Sequence, residues 1–347
     1  MSEQATRARG RATADMVAKT ANVSRVAVSR AFNPHASIKP EKRDHILKVA
    51  QELNYTPDMA ARSMVTGRSH LVALIVPDVS SPWESQEVDA LTNLLQAEGF
   101  ATLLFKTKRD LSLDETLLTY MKGFNPDSVI AFAENVRPHM LSRVLERAVP
   151  IYIDYPSGEE QPAETEPGPL FDRLEVLQRD GLEQAVALMQ GYGARRIAFL
   201  GGIASSLAAR TRQRMVEALM AEHGLGAPIL IEGDYSYDTA YRATIDLFRV
   251  GDGADAIFAV NDQSAFGALD ALRHELGLKV PEDVMVVGFD DINQSHWKSY
   301  NLTTVKFDLE ERARALVRLI LRRLKTPAAP SMTETISTKL VVRGTVG

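Results

Sequence analysis

NVSRVAVSRAFN (residues 22–33) packs two arginines, two serines and three valines into one short segment. Ser24 is a helix-capping residue type, because its hydroxyl can accept an amide of the first turn. The pattern predicts a helix from Ser24 to about Phe32. Upstream, Thr13 can cap a helix running to about Ala21, with Met16, Val17, Ala18 and Ala21 turned inward. Only Asn22 and Val23 are left to turn the chain between the two. A connection this tight holds two helices at a fixed angle, the geometry of a helix-turn-helix. A third helix is predicted in PEKRDHILKVAQELNY (40–55), with Pro40 at the first helical position and Ile46, Leu47, Ala50 and Leu53 at helical spacing.

Charge is distributed to match. Residues 1–70 hold 12 Lys and Arg against six Asp and Glu, a net +6, whereas the remainder carries −11, for a total of −5. A basic head on an acidic body suits a chain that meets phosphate only through its head. A solvated basic terminus has the same composition. Residues 1–10 are polar, small and unpatterned, which predicts a disordered N-terminus.

At 347 residues and 45% apolar composition, the chain is long enough for two or three domains. It lacks cysteine, which excludes disulfides, thiolate metal sites and a cysteine nucleophile. Its seven histidines are scattered with no HExxH pair, so no metal and no cofactor is expected. No apolar stretch has the length of a membrane span, and Arg7, Arg9 and Arg11 stand where a signal peptide would be apolar. A cytoplasmic protein with no membrane role is expected.

After a marginal helix of small residues in TPDMAARSMVTGRSH (56–70), apolar runs alternate with helical stretches. The strand candidates are LVALIVPD (71–78), FATLLFK (100–106), SVIAFA (128–133), PIYIDY (150–155), RRIAFLGG (195–202), PILIEGD (228–234), DAIFAVND (255–262) and VMVVGFDD (284–291). Continuous apolar runs separated by helices imply parallel sheets covered on both faces. Eight runs exceed one small sheet, and the Pro/Glu-rich segment 155–170 falls in the middle. The expected fold is α/β: a small all-α head and hinge joined to two doubly wound lobes. Several strands end in polar residues, namely Asp78, Asp154, Asp234, Asn261 with Asp262, and Asp290 with Asp291. Facing lobes would surround a cleft with them. Each, taken alone, also reads as a turn residue.

These segments together resemble the LacI/GalR family of ligand-responsive transcriptional regulators, from about Arg11 to the C-terminus. NVSRVAVSRAFN resembles the family's GVSxxTVSRxLN, with Asn22 in place of glycine and Ala27 in place of threonine. The hinge LNYTPDMAARSMVTGRS, the long segment FAVNDQSAFGALDALRHELGLKVPEDVMVVGFDDI (258–292), LTTVKFDLEE (302–311) and the terminal VVRGTVG (341–347) agree in order. The resemblance implies a helix-turn-helix domain over 11–55, a hinge helix over 56–69 and an effector-binding and dimerisation domain over 70–347. In the last, an N-lobe of about 70–174 and 303–330 faces a C-lobe of about 175–302 and 331–347.

The resemblance further implies a homodimeric repressor on a pseudo-palindromic operator. Arg25, Val26 and Arg30 would face base edges, and Thr13, Ser24, Ser29 and Asn33 would contact phosphates. Arginine grips guanine bidentately and valine touches a thymine methyl, so the chemistry is suitable. Met64 would wedge into the minor groove from paired hinge helices, with Ala61 allowing their close approach. A sugar, sugar acid or related polyol would bind in the cleft through Trp83, Glu84, Arg210, Tyr235, Asp262 and Asp290. Glu84 stands where an aromatic is common, and Val176, Leu177 and Gln178 replace the family's VDN, which points to an atypical effector. Arg210, Arg212 and Arg214 begin one amphipathic helix, so at least one of them is expected in solvent. Two other classes share parts of this pattern. A solute-binding protein has the two-lobed body but no use for a basic head. An enzyme on a doubly wound sheet would need the GxxxxGK[ST] or GxGxxG loops, or the nucleophile with a partnered base, that are missing here.

Overall fold

The computed structural model describes residues 12–32, 36–57, 63, 67–77, 79–107, 115–132, 141, 149–154, 171–250 and 253–347. Expectations for the N-terminal ten residues, Asn33, the hinge positions Ala61 and Met64, Asp78, the Asp154 side chain and segment 155–170 fall outside them. The chain divides into two compact units, Met1–Ser69 and His70–Gly347.

The first unit contains α1 (Ala14–Thr20), α2 (Arg25–Ala31) and α3 (Pro40–Glu52). Thr13 accepts the Met16 amide at 3.3 Å and Ser24 the Ala27 amide at 3.2 Å, so each helix starts at its expected cap. Asn22 adopts φ +52° in the turn between α1 and α2. Asparagine is among the few non-glycine residues that tolerate the left-handed region, which is why it can stand in for glycine there. Val17, Ala18, Ala21, Ala27, Val28, Ala31, Ile46, Val49 and Ala50 form the core. Two expectations are corrected. Met16 and Leu47 are 46% and 37% exposed, and Val49 takes the inward place next to Ile46. Three short helices enclose only a narrow stripe of each, so a neighbour one position round the helix falls outside it.

The second unit holds two six-stranded sheets. The first comprises β1 (Leu71–Val76), β2 (Ala101–Lys106), β3 (Ser128–Ala131), β4 (Val149–Asp154), β5 (Asp172–Leu177) and β11 (Thr333–Ser337), in the order β11-β5-β4-β3-β1-β2 and parallel throughout. The second comprises β6 (Ile197–Leu200), β7 (Ile229–Ile231), β8 (Ala256–Ala259), β9 (Met285–Phe289), β10 (Thr303–Lys306) and β12 (Lys339–Val341), in the order β12-β10-β9-β8-β6-β7, with β12 antiparallel to β10. The central strands β1, β3, β6, β8 and β9 are buried almost end to end, as continuous apolar runs require.

All eight predicted runs contain a strand. The four strands that were not predicted, β5, β10, β11 and β12, are short or alternate polar with apolar residues, such as the DRLEVL of β5. They also correct the lobe boundaries. β10 belongs to the second sheet and β11 to the first, so the chain crosses between sheets after Leu177, after Lys306 and at Thr338. Thr338 ties two crossings together, donating to Gln178 O at 2.9 Å while accepting the Gly181 amide at 3.2 Å. Helix α4 (Pro82–Ala97) packs on α10 (Leu309–Lys325) beside the first sheet. The end of α10 is fastened there by Asp172, which is fully buried and accepts Arg323 at 2.5 and 3.0 Å and the Met332 amide at 2.8 Å. The other α-helices among the described residues are α5 (Glu115–Phe124), α6 (Arg179–Gly191), α7 (Leu207–Glu222), α8 (Tyr237–Arg249) and α9 (Asp262–Asp270).

Candidate functional site

The two faces of α2 divide cleanly. Ala27, Val28 and Ala31 are buried, while Ser24, Arg25, Val26, Ser29 and Arg30 are exposed on the other side. At 60% exposure beside two arginines, Val26 packs little against the described residues of this unit. Thr13 is exposed as well, at the mouth of α1. Arg25 pairs with Asp15 at 3.5 Å, and both side chains are largely in solvent. Such a pair contributes roughly 0–1 kcal/mol and leaves the guanidinium free to exchange partners.

In the body, side chains from both sheets gather where β1, β6, β8 and β9 end. Trp83, near the start of α4, packs against the apolar clusters of both sheets and meets Phe307 edge-on at 4.8 Å. The Arg312 guanidinium lies 4.9 Å from the Phe307 ring centre and 5.7 Å from that of Trp83, and it forms a buried ion pair with Glu87. Burial pushes the Glu87 carboxyl up to about 7, against the opposing pull of Arg312. Glu84, partly buried, adds its negative charge to the same space and pushes both Glu87 and Asp290 upward.

From the second sheet, Asp290 follows β9 with φ +118°. Desolvation raises its carboxyl well above the usual range; Arg212 opposes this, and Asp262 and Glu84 add to it. Arg212 stacks on Phe289 with its guanidinium carbon 3.4 Å from the ring centre. It donates to Gln178 Oε1 at 2.8 Å and to the Val260 carbonyl. Tyr235 stands in the loop between β7 and α8 in a left-handed conformation, φ +69°, with its hydroxyl 2.7 Å from Ser206 Oγ. Gly202 makes room for it, since a Cβ there would lie 2.6 Å from the Tyr235 ring.

Of the expected effector contacts, the structure therefore brings together Trp83, Glu84 and Asp290, with Tyr235 at the C-terminal edge of the second sheet. Two are placed differently. Arg210 is exposed and donates to the Ala204 carbonyl at 2.8 Å, whereas Arg212, two residues on, is 5% exposed and faces Asp290. Helical phase carried that signal: Arg212 lies on the buried stripe of Ala208, Val216 and Leu219, and Arg210 does not. Asp262 is fully buried, and both its oxygens accept hydrogen bonds from within the protein. The Glu87–Arg312 pair was not anticipated. Its two members sit four residues before Leu91 and Leu316 on buried stripes, so phase would have placed them inward too.

A helix-turn-helix unit followed by two mainly parallel sheets with charged and aromatic side chains at their carboxyl ends defines a class, the transcriptional regulators with a periplasmic-binding-protein-like body. Family models agree with both halves. Residues 14–58 match the bacterial regulatory proteins of the lacI family, and residues 186–346 match the periplasmic binding protein-like domain. The chain is 32% identical to the HTH-type transcriptional regulator CelR of Thermobifida fusca over 348 residues, covering 96% of this chain and 98% of that one. It is 27% identical to the ribose operon repressor of Halalkalibacterium halodurans, covering 95% of each. Among solved structures, the Lac repressor dimer bound to operator and the anti-inducer ONPF superposes with a TM-score of 0.81 at 24% identity, over 96% of this chain and 99% of that one. The CelR–cellobiose complex superposes with a TM-score of 0.67 at 26% identity, over 96% and 100%. The chain belongs to the LacI family and is a DNA-binding transcriptional regulator. No helix among the described residues is long and apolar enough to cross a membrane.

Proposed function

We propose that the protein is a homodimeric repressor that reads a pseudo-palindromic operator through α2 and answers to a sugar-like effector held between the two sheets. Arg25, Val26 and Arg30 are assigned to base edges, and Thr13, Ser24, Ser29 and Asn33 to phosphates. Ala61 and Met64 are assigned to a paired hinge that opens the minor groove. Trp83, Glu84, Tyr235, Asp290 and Arg212 are assigned to the effector. The observation that carries the effector reading is that Arg212 stacks on Phe289 next to Asp290 in one sheet, while Trp83 and Arg312 from beside the other sheet pack on Phe307. An arginine and a carboxylate next to aromatic rings provide donors, acceptors and stacking faces for hydroxylated rings. The effector is bound and released unaltered.

In this mechanism the effector changes the angle between the sheets through the three crossings. That shift reaches operator affinity with a coupling of roughly 1–3 kcal/mol, and DNA alters effector affinity by the same factor. The test is operator selection with the full-length chain, followed by operator titration at fixed salt with cellobiose, D-ribose and D-glucuronate. Operator affinity that stays constant for every sugar that binds refutes the coupling.

A further inference from the structure

Three carboxylates surround the turn after β9, and they are used differently. Asp291 is held by Arg343 Nη2 at 2.6 Å and Lys306 Nζ at 3.2 Å. Asp262, the first residue of α9, accepts the Ile292 amide at 3.0 Å and the Ser295 hydroxyl at 2.5 Å on one oxygen, and the Thr304 hydroxyl at 2.5 Å on the other. Among the described residues, no side chain donates a hydrogen bond to the Asp290 carboxylate, which faces charges from both sides of the cleft. Of the three, it is the one left to meet a ligand.

The turn is under conformational stress. Asp290 and Asp291 adopt φ +118° and +57° in succession; the second is left-handed backbone that Asp tolerates, whereas the first is one that a non-glycine residue adopts only where the surroundings over-determine it. Asp262 supplies that determination from the other side of the turn, joining α9, the residues after β9, and β10 through one fully buried carboxylate. β9 approaches it so closely that a Cβ on Gly288 would lie 2.3 Å from Asp262 Oδ1. All three of its neighbours donate to the carboxylate, whereas an amide keeps one acceptor oxygen and would oblige the Thr304 hydroxyl to turn and accept from its NH2.

Resting on the reading of the cleft as the effector site, we propose that Asp262 is the positioning residue of that cleft: it touches no effector, and it sets effector affinity by holding the strained turn that aims Asp290 at the ligand. Asp262 and Asp290 then act as one unit, with Asp290 making the contact.

A double-mutant cycle in the full-length chain tests this, with cellobiose, D-ribose and D-glucuronate as calorimetric probes carried to millimolar concentration. Asp262→Asn is expected to weaken the tightest probe about tenfold in the native background and less than about twofold in the Asp290→Asn background, because coupled residues are non-additive. A merely structural role would weaken it equally in both, and that result overturns the proposal. Asp290→Asn with undiminished probe binding would instead sink the effector-site reading itself. A second arm needs no ligand: hydrogen exchange over 288–296 should accelerate at least about tenfold in Asp262→Asn while β6 and β8 keep their protection. Unchanged exchange there overturns the proposal whether or not a probe binds. If Asp262→Asn misfolds, Ser295→Ala removes one donor and no charge, and the same outcomes apply at smaller amplitude.

Discussion

The guanidinium carbon of Arg212 lies 3.4 Å from the centre of the Phe289 ring, one residue before Asp290. From there the same side chain reaches Gln178, where the chain passes from the first sheet to the second, and the carbonyl of Val260, just before the Asn261 cap of α9. One arginine thus joins the floor of the cleft to a crossing between the sheets.

Replacing it should therefore affect both stability and response. Arg212→Lys leaves at least one of the buried acceptors on Gln178 and Val260 unmet, at a cost of about 1–3 kcal/mol for each, and it loses the stacking on Phe289. Urea unfolding reads the first effect and operator titration with a bound sugar the second. Arg210→Ala, on the exposed face of the same helix, should change unfolding by less than about 0.5 kcal/mol. Equal losses for the two variants would contradict this assignment of the arginines.

The Glu87–Arg312 pair is buried to within 3% and 1% exposure. Arg312→Met strands a buried carboxyl and should cost about 3–5 kcal/mol, whereas Glu87→Leu with Arg312→Met should restore most of that loss. Glu87→Gln copies the protonated acid and should be the mildest of the single changes. Chemical denaturation of the three variants decides the order.

A pH dependence follows from the same burial. Glu87 and Asp262 are each pushed up to about 7 from ordinary values of 4.5 and 3.8. The native state therefore holds these protons more tightly than the unfolded chain does. Their contribution to stability is fully present below about pH 4 and is lost as pH rises through 7. Unfolding free energy measured from pH 5 to pH 8 should carry this downward component, and Glu87→Gln should flatten part of it. An identical slope in the variant would show that Glu87 is already ionised throughout the range.

Arg25→Ala should cost about 1–3 kcal/mol on the selected operator and much less on unrelated duplexes. Stability should change by no more than the roughly 0–1 kcal/mol of its exposed pair with Asp15. Equal losses on all DNA would make Arg25 a phosphate contact.

Gly181→Ala tests the crossings. Its Cβ would lie 2.5 Å from Val305 Cγ1 and 2.8 Å from Thr338 Oγ1, in the place where segments of both sheets meet. A loss of about 1–3 kcal/mol in unfolding is expected from overpacking, together with a changed effector response of operator binding. A silent substitution would mean that the crossings are loosely held.

The sequence alone determined the three helices of the head, eight of the twelve described strands and the class of protein they make. Caps at Thr13 and Ser24, a two-residue turn and eight apolar runs are local signals, because capping and strand burial depend on near neighbours and on continuous hydrophobicity. The tertiary structure decided which lobe owns β10 and β11, which arginine of α7 turns inward, and which of the acids near β9 receives no side-chain hydrogen bond from the described residues. Those outcomes depend on contacts between residues far apart in the chain, such as Glu87 with Arg312, Gln178 with Arg212 and Asp262 with Thr304. Local pattern carries only half of each such contact, since the energy of a buried charge depends on the partner that the fold delivers to it.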